Sequence, residues 1–246
     1  MTIAPALRGA GAALLAAGLL AVTACAADDS PPVVFAAASL SAPFEDLVED
    51  AGTPARFSFG GSNALVDQLV GGAPADVFAA ASTTTMDRAV AEGVVEGEPV
   101  RFATNVLVLV TPPGNPAGIT GLDDSLDGAK LVVCAPEVPC GQAAAALAAT
   151  AGTTLAPVSE ESAVTDVLGK VTSGEADVGL VYATDAAAAG DTVTTIDIPA
   201  SAQHVNEYWI AAVRDGDGAA AASFIDLVIG QQGQDLLAAR GFGPAG

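Results

Sequence analysis

Positive charge is scarce in this chain. Its 246 residues hold 29 Asp and Glu against 8 Lys and Arg, a formal net charge of -21. So acidic a molecule is a poor partner for nucleic acid or an anionic lipid surface. Histidine is rarer still. His204 is the only one, and with Cys134 and Cys140 it makes no metal-ligand set of usual spacing. Its expected role is that of a loop histidine. Aromatic residues are 4% of the chain, with Tyr182 and Tyr208 its only phenols. Capture of iron with an anion usually shows paired tyrosines with acids, and that reading ranks low here. After the N-terminal stretch no second long apolar run occurs, so nothing else in the sequence spans a membrane.

The N-terminal stretch itself reads as an address. Arg8 supplies a positive start, and Gly9 to Ala24 is apolar, built of small residues and short for a span. It ends Val22-Thr23-Ala24-Cys25, which resembles the lipobox of bacterial lipoproteins. The resemblance implies cleavage before Cys25 and acylation of that cysteine. Residues 1–24 are then a signal peptide, and the protein is an extracytoplasmic lipoprotein held to the membrane at Cys25. The alternative is an ordinary secretory signal. Residues 25–32, small, acidic and proline-ended, read as a linker. In such a compartment Cys134 and Cys140, six positions apart across a loop with Pro136 and Pro139, are a disulfide candidate. Two free buried thiols are the alternative.

One design recurs along the body: strand, small-residue turn, helix. The stretch VVFAAASLSAPFEDLVED, residues 33–50, opens with an apolar run and meets Ser39. It continues with Leu40, Phe44, Leu47 and Val48 at helical spacing. Such a turn aims a hydroxyl and free helix N–H groups at one point, which suits an anion. Ser39 could equally be a plain helix cap. The second unit runs from an Ala55–Phe59 strand through Gly60-Gly61-Ser62-Asn63 into a helix. A third leads from Val77 to Ser82, with Thr84 and Asp87 spaced like a capping box.

NVLVLVT at 105–111 reads as a strand buried on both faces of a parallel sheet, and the Pro112–Pro116 run as a crossing between lobes. Further strands are expected at 130–135, 177–182, 192–198 and 208–213, and the return crossing near 199–206. Alternating strands and helices give an α/β class with mainly parallel sheet. The expected division is lobe I at 33–109 and 205–246, and lobe II at 110–204. A site belongs in the crevice at the carboxyl ends of the strands.

Five segments together resemble the periplasmic molybdate-binding proteins of ABC transporters. They are FAAASL with Ser39, FGGSNALVDQLVGGAPADVFAAAS with Ser62, EVPCGQAAAAL with Cys140, AVTDVLGKVTSGEADVGLVYATDA with Val164 and Tyr182, and QQGQDLLAARGFGP near the C-terminus. The resemblance implies a two-lobed periplasmic-binding-protein type II fold, each lobe a mainly parallel sheet flanked by helices. It implies a monomeric, non-catalytic protein that needs no cofactor and takes molybdate or tungstate, with molybdenum present only as the oxyanion. Carried over by position, the ligand is held by the hydroxyls of Ser39, Ser62 and Tyr182 and by the backbone N–H groups of Cys140 and Val164. An ABC permease is the implied recipient. Cys140 departs from the small aliphatic residue usual there, and a bond to Cys134 would staple the loop presenting that N–H.

The residues agree with such a ligand. The few Lys and Arg lie outside the serine turns, so a dianion has to be held by neutral donors and helix N-termini. Donors alone suit molybdate, tungstate and sulfate, which only accept. Protonated phosphate would want a carboxylate, and neither serine turn holds one. Sulfate, or another tetrahedral oxyanion, is the nearest alternative ligand. A different class is a hydrolase: Gly60-Gly61-Ser62-Asn63-Ala64 resembles a nucleophile elbow without its last glycine. It would use Ser62 as nucleophile, His204 as base, and Asp177 or Asp185.

Overall fold

The computed structural model describes Met1 and residues 30–246. Cys25, the signal peptide and most of the linker lie outside the described residues. Two five-stranded mixed sheets organise the body, each flanked by helices.

The first sheet holds β1 (Val33–Ala37), β2 (Arg56–Gly60), β3 (Val77–Ala80), β4 (Val95–Asn105) and β10 (Asn206–Val213), in the order β2-β1-β3-β10-β4. β1 pairs parallel with β2 and β3, while β10 runs antiparallel to β3 and β4. Alternation along β1 sends Val34 and Ala36 to one face and Phe35 to the other. The first face packs on α1 (Ser41–Ala51), α7 (Gly218–Ile229) and α8 (Gln231–Ala239) through Phe44, Leu47, Phe224 and Leu237. The second face is covered by α2 (Ser62–Val70) and α3 (Thr83–Ala91) through Leu65, Leu69 and Met86. β4 is absent from the sequence reading for a physical reason. VEGEPVRFATN carries charges and Pro99, which only an edge strand tolerates, and β4 is the edge.

The second sheet holds β5 (Leu107–Thr111), β6 (Leu131–Cys134), β7 (Ser159–Glu161), β8 (Val178–Tyr182) and β9 (Thr194–Ile196), in the order β7-β6-β8-β5-β9. Its helices are α4 (Pro139–Ala151), α5 (Val164–Thr172) and α6 (Ala183–Ala189). β5 is buried along its whole length, as its sequence predicts, but it pairs antiparallel with both β8 and β9. A continuous apolar run reports burial of both faces, not strand direction.

The expected crossing at Pro112–Pro116 is corrected. β4 ends at Asn105 in the first sheet and β5 begins at Leu107 in the second, so the chain crosses at Val106. The prolines form a turn within the second lobe, with Asn115 N–H donating to the Pro112 carbonyl at 3.0 Å. The chain returns just before Asn206, which stands opposite Asn105 in the β10–β4 ladder. Both crossings are therefore side by side. The expected Thr84–Asp87 capping box is also replaced: Ser82 is the N-cap of α3, its hydroxyl accepting from Thr85 N–H at 3.2 Å.

Candidate functional site

A strand that ends in a small-residue turn delivers the next helix N-terminus to the sheet's carboxyl edge. Five such turns meet in one place. Ser39 lies in a short 3-10 turn between β1 and α1, and Ser62 is the first residue of α2. Cys140 is the second residue of α4, Val164 the first of α5, and Tyr182 ends β8 as the N-cap of α6. All five residues expected from the sequence line a single cavity, together with Gly60, Gly61, Ala81, Val138, Ser162 and Ala163 among others. Its volume is about 20 Å³, against about 720 Å³ for a wider groove that also reaches Ser39. No charged side chain lines the small cavity among the described residues.

None of the helices opening on this cavity has a side-chain cap. First-turn N–H groups have no intrahelical acceptor, so these amides and the helix dipoles face the cavity as partial positive charge. Ser39 is not a helix cap, contrary to the simpler sequence reading. Its Oγ instead meets the Tyr208 hydroxyl at 2.9 Å. Ser62 Oγ accepts from Ala81 N–H at 3.2 Å. Tyr182 Oη accepts from Asn206 Nδ2 at 3.0 Å. Each hydroxyl is thus engaged by a protein neighbour.

Cys134 and Cys140 are joined in a disulfide, their Cα atoms 5.6 Å apart. It ties the end of β6 to the start of α4, where the Cys140 amide sits. Gly141 makes the tight loop feasible: a Cβ there would lie 1.9 Å from the Ala135 carbonyl oxygen. The two lobes also touch across the cavity. A Cβ on Gly61 would stand 2.2 Å from the Ser162 carbonyl oxygen, so only glycine lets the lobes meet there. Beside it Asn63 Nδ2 donates to the Glu137 carbonyl.

Both phenols are fully buried, and burial is the main cause that pushes them above their ordinary range. Asp185 lies near them, at the third position of α6. Burial pushes its carboxyl up to about 7, while the Tyr182 backbone N–H pulls it down. One of its oxygens has no hydrogen-bond partner, and it lines the wider groove rather than the small cavity. His204, required by the hydrolase alternative, bonds Thr150 Oγ1 at 2.6 Å and does not line the cavity holding Ser62. Asp177 accepts from Lys130 N–H through one oxygen and does not line the cavity.

Three residues escaped the sequence reading as parts of the site: Asn105, Asn206 and Tyr208. The only signal for the asparagines was their place at the two crossings, and that needs the sheets to be known.

Two α/β lobes that meet at a cavity lined by uncharged residues have the build of a solute-binding protein. Residues 32–243 match the family model for bacterial extracellular solute-binding proteins, and the chain belongs to that family. It is 42% identical to the molybdate-binding protein ModA of Mycobacterium tuberculosis (strain ATCC 25618 / H37Rv), over 95% of this chain and 96% of that one. It is 31% identical to the ModA of Escherichia coli (strain K12), over 88% and 90%. Among solved structures, the periplasmic molybdate-binding protein of Azotobacter vinelandii has a TM-score of 0.75 at 22% identity. The match covers 86% of this chain and 98% of that one. The family is extracytoplasmic, and no helix among the described residues is long and apolar enough to cross a membrane.

Proposed function

We propose that the protein captures molybdate or tungstate in the small cavity between its lobes. The hydroxyls of Ser39, Ser62 and Tyr182 and the backbone N–H groups of Cys140 and Val164 donate to the ion. One observation carries this reading: the five residues, drawn from both lobes, line one cavity that no charged side chain lines among the described residues. Hydrogen bonds to a charged partner contribute about 1.5–3 kcal/mol each. Five of them reach micromolar affinity or better after ordering costs. The relatives named as molybdate-binding proteins support the same ion.

Capture serves delivery. The monomer, anchored by a lipid at Cys25, hands the ion to an ABC permease. Closure is driven by contacts that the ion makes with both lobes at once. The lipobox-like sequence at residues 22–25 supports the anchor, and a Cys25→Ala protein is expected to leave the membrane fraction.

Isothermal titration calorimetry with four ions tests the ligand. Molybdate and tungstate should bind at micromolar concentration or below, sulfate more weakly because its bonds are shorter, and phosphate least. Phosphate competing as well as molybdate would refute the assignment.

A further inference from the structure

A hydroxyl is not inherently a donor. Serine and tyrosine oxygens also accept, so a cavity lined by hydroxyls does not by that alone reject an ion carrying its own hydrogen. What each hydroxyl offers depends on what its oxygen already receives, and here each oxygen already receives one bond, which takes one of its two lone pairs.

Tyr182 Oη receives one N–H of Asn206, whose amide nitrogen also donates to the Ala81 carbonyl at 3.1 Å. Asn105 Nδ2 donates to Thr184 Oγ1 at 2.7 Å and makes a longer contact of 3.4 Å to Tyr208 Oη. Asn105 Oδ1 is occupied by Val106 N–H at 2.9 Å, which sets the amide's orientation. Tyr208 is wholly buried, and its hydrogen needs an acceptor. Ser39 Oγ stands 2.9 Å from Tyr208 Oη, close enough for either hydroxyl to donate, and we assign the Tyr208 hydroxyl as the donor. The phenol is the more acidic of the two hydroxyls, and neighbouring Tyr182 is already served by Asn206. Ser62 Oγ accepts from the Ala81 amide at 3.2 Å. A hydroxyl that receives from a neighbour does not also donate to it, so the hydrogen of Ser39 is turned away from Tyr208, that of Tyr182 away from Asn206 and that of Ser62 away from Ala81.

We propose that Tyr208 and Asn206 are positioning residues that bias Ser39 and Tyr182 toward donating, and that they thereby set the site against oxyanions that carry a hydrogen. The proposal rests on the oxyanion reading above and assigns its selectivity to residues that do not line the cavity. Neither residue contacts the ion. Each acts through the hydroxyl it fills.

Tyr208→Phe tests this. The ring is held edge-on by Phe102, Tyr182 and Phe242, and phenylalanine keeps that packing. Sulfate and hydrogen phosphate have nearly the same size but differ in one hydrogen, so the comparison isolates the proposed effect. Both are measured by displacement of bound molybdate at neutral pH. With Ser39 free to turn and accept, the preference for sulfate over phosphate should fall about tenfold, the worth of one hydrogen bond, and phosphate displacement should improve. Equal losses for every ion, or no gain in phosphate displacement, would overturn the proposal and leave Tyr208 a packing residue. If Tyr208→Phe does not fold, Asn206→Ala makes the same comparison at Tyr182. Failure of the oxyanion reading shows separately, as wild-type protein that binds no molybdate.

Discussion

The two lobes are made of different material. All eight phenylalanines lie in the first, where Phe44, Phe57, Phe102 and Phe224 pack ring to ring. The second has no phenylalanine. Its core is valine, leucine and alanine, with Tyr182 as its only aromatic residue and the Cys134–Cys140 bond as a staple. Under the proposed reading, their offers to the ligand differ in the same sense. The first lobe presents serine side chains, and the second presents main-chain amides at uncapped helix starts plus one phenol. Elsewhere, α3 and α7 open on Ser82 and Asp217, whose side chains satisfy their own first-turn amides. The helices that open on the cavity carry no such side-chain cap, a trait that α8 shares away from it. The lesson is that the first lobe's share can be deleted by mutation, whereas much of the second lobe's share can be reached only through the backbone that carries it.

The largest effect should come from the side-chain half. Ser39→Ala together with Ser62→Ala removes two charge-assisted bonds and should weaken molybdate binding about a thousandfold, with the protein still folded by circular dichroism. Retained affinity in calorimetry would shift the weight to the second lobe. The backbone half is reached by opening the staple. Cys134→Ser with Cys140→Ser, or a reductant, should weaken binding about tenfold by loosening the Cys140 amide. The short loop it closes implies a loss of about 2 kcal/mol in stability. Denaturant melts with and without reductant would show this, and unchanged melts and affinity would mean that the loop holds itself.

The smallest effect on affinity should come from Asp185→Asn. Folded protein holds this proton up to about pH 7, whereas the ordinary carboxyl loses it near 3.8. Between those values the folded state binds more protons than the unfolded one, so this group's contribution to stability falls as pH rises, by at most about 1.4 kcal/mol per pH unit. The asparagine variant should lose that slope and be the more stable protein at pH 8. At pH 6, where the carboxyl is already mostly neutral, affinity should stay within about threefold of wild type. Thermal melts across the range, compared with wild type, give the sign directly.

Local chemistry was legible in the sequence. Ser39 and Ser62 stand at strand-to-helix turns because apolar runs, small residues and helical spacing announce such turns over a few residues. What stayed hidden is non-local. The Ser39–Tyr208 bond joins positions 169 apart and Asn105–Thr184 positions 79 apart, and no periodicity brings such pairs together. The crossing was misplaced for a related reason: prolines advertise a turn loudly, while passage from one sheet to the other at Val106 leaves no mark in composition. β5 was readable as buried but not as antiparallel, since direction is decided by its partners.

The placing of Asn206 beside the crossings has a consequence for timing. It belongs to the first lobe and Tyr182 to the second, so their bond spans the two lobes. Should opening of the lobes part them, the phenol loses the amide that turns it, and discrimination between ions is then felt in how long each one stays.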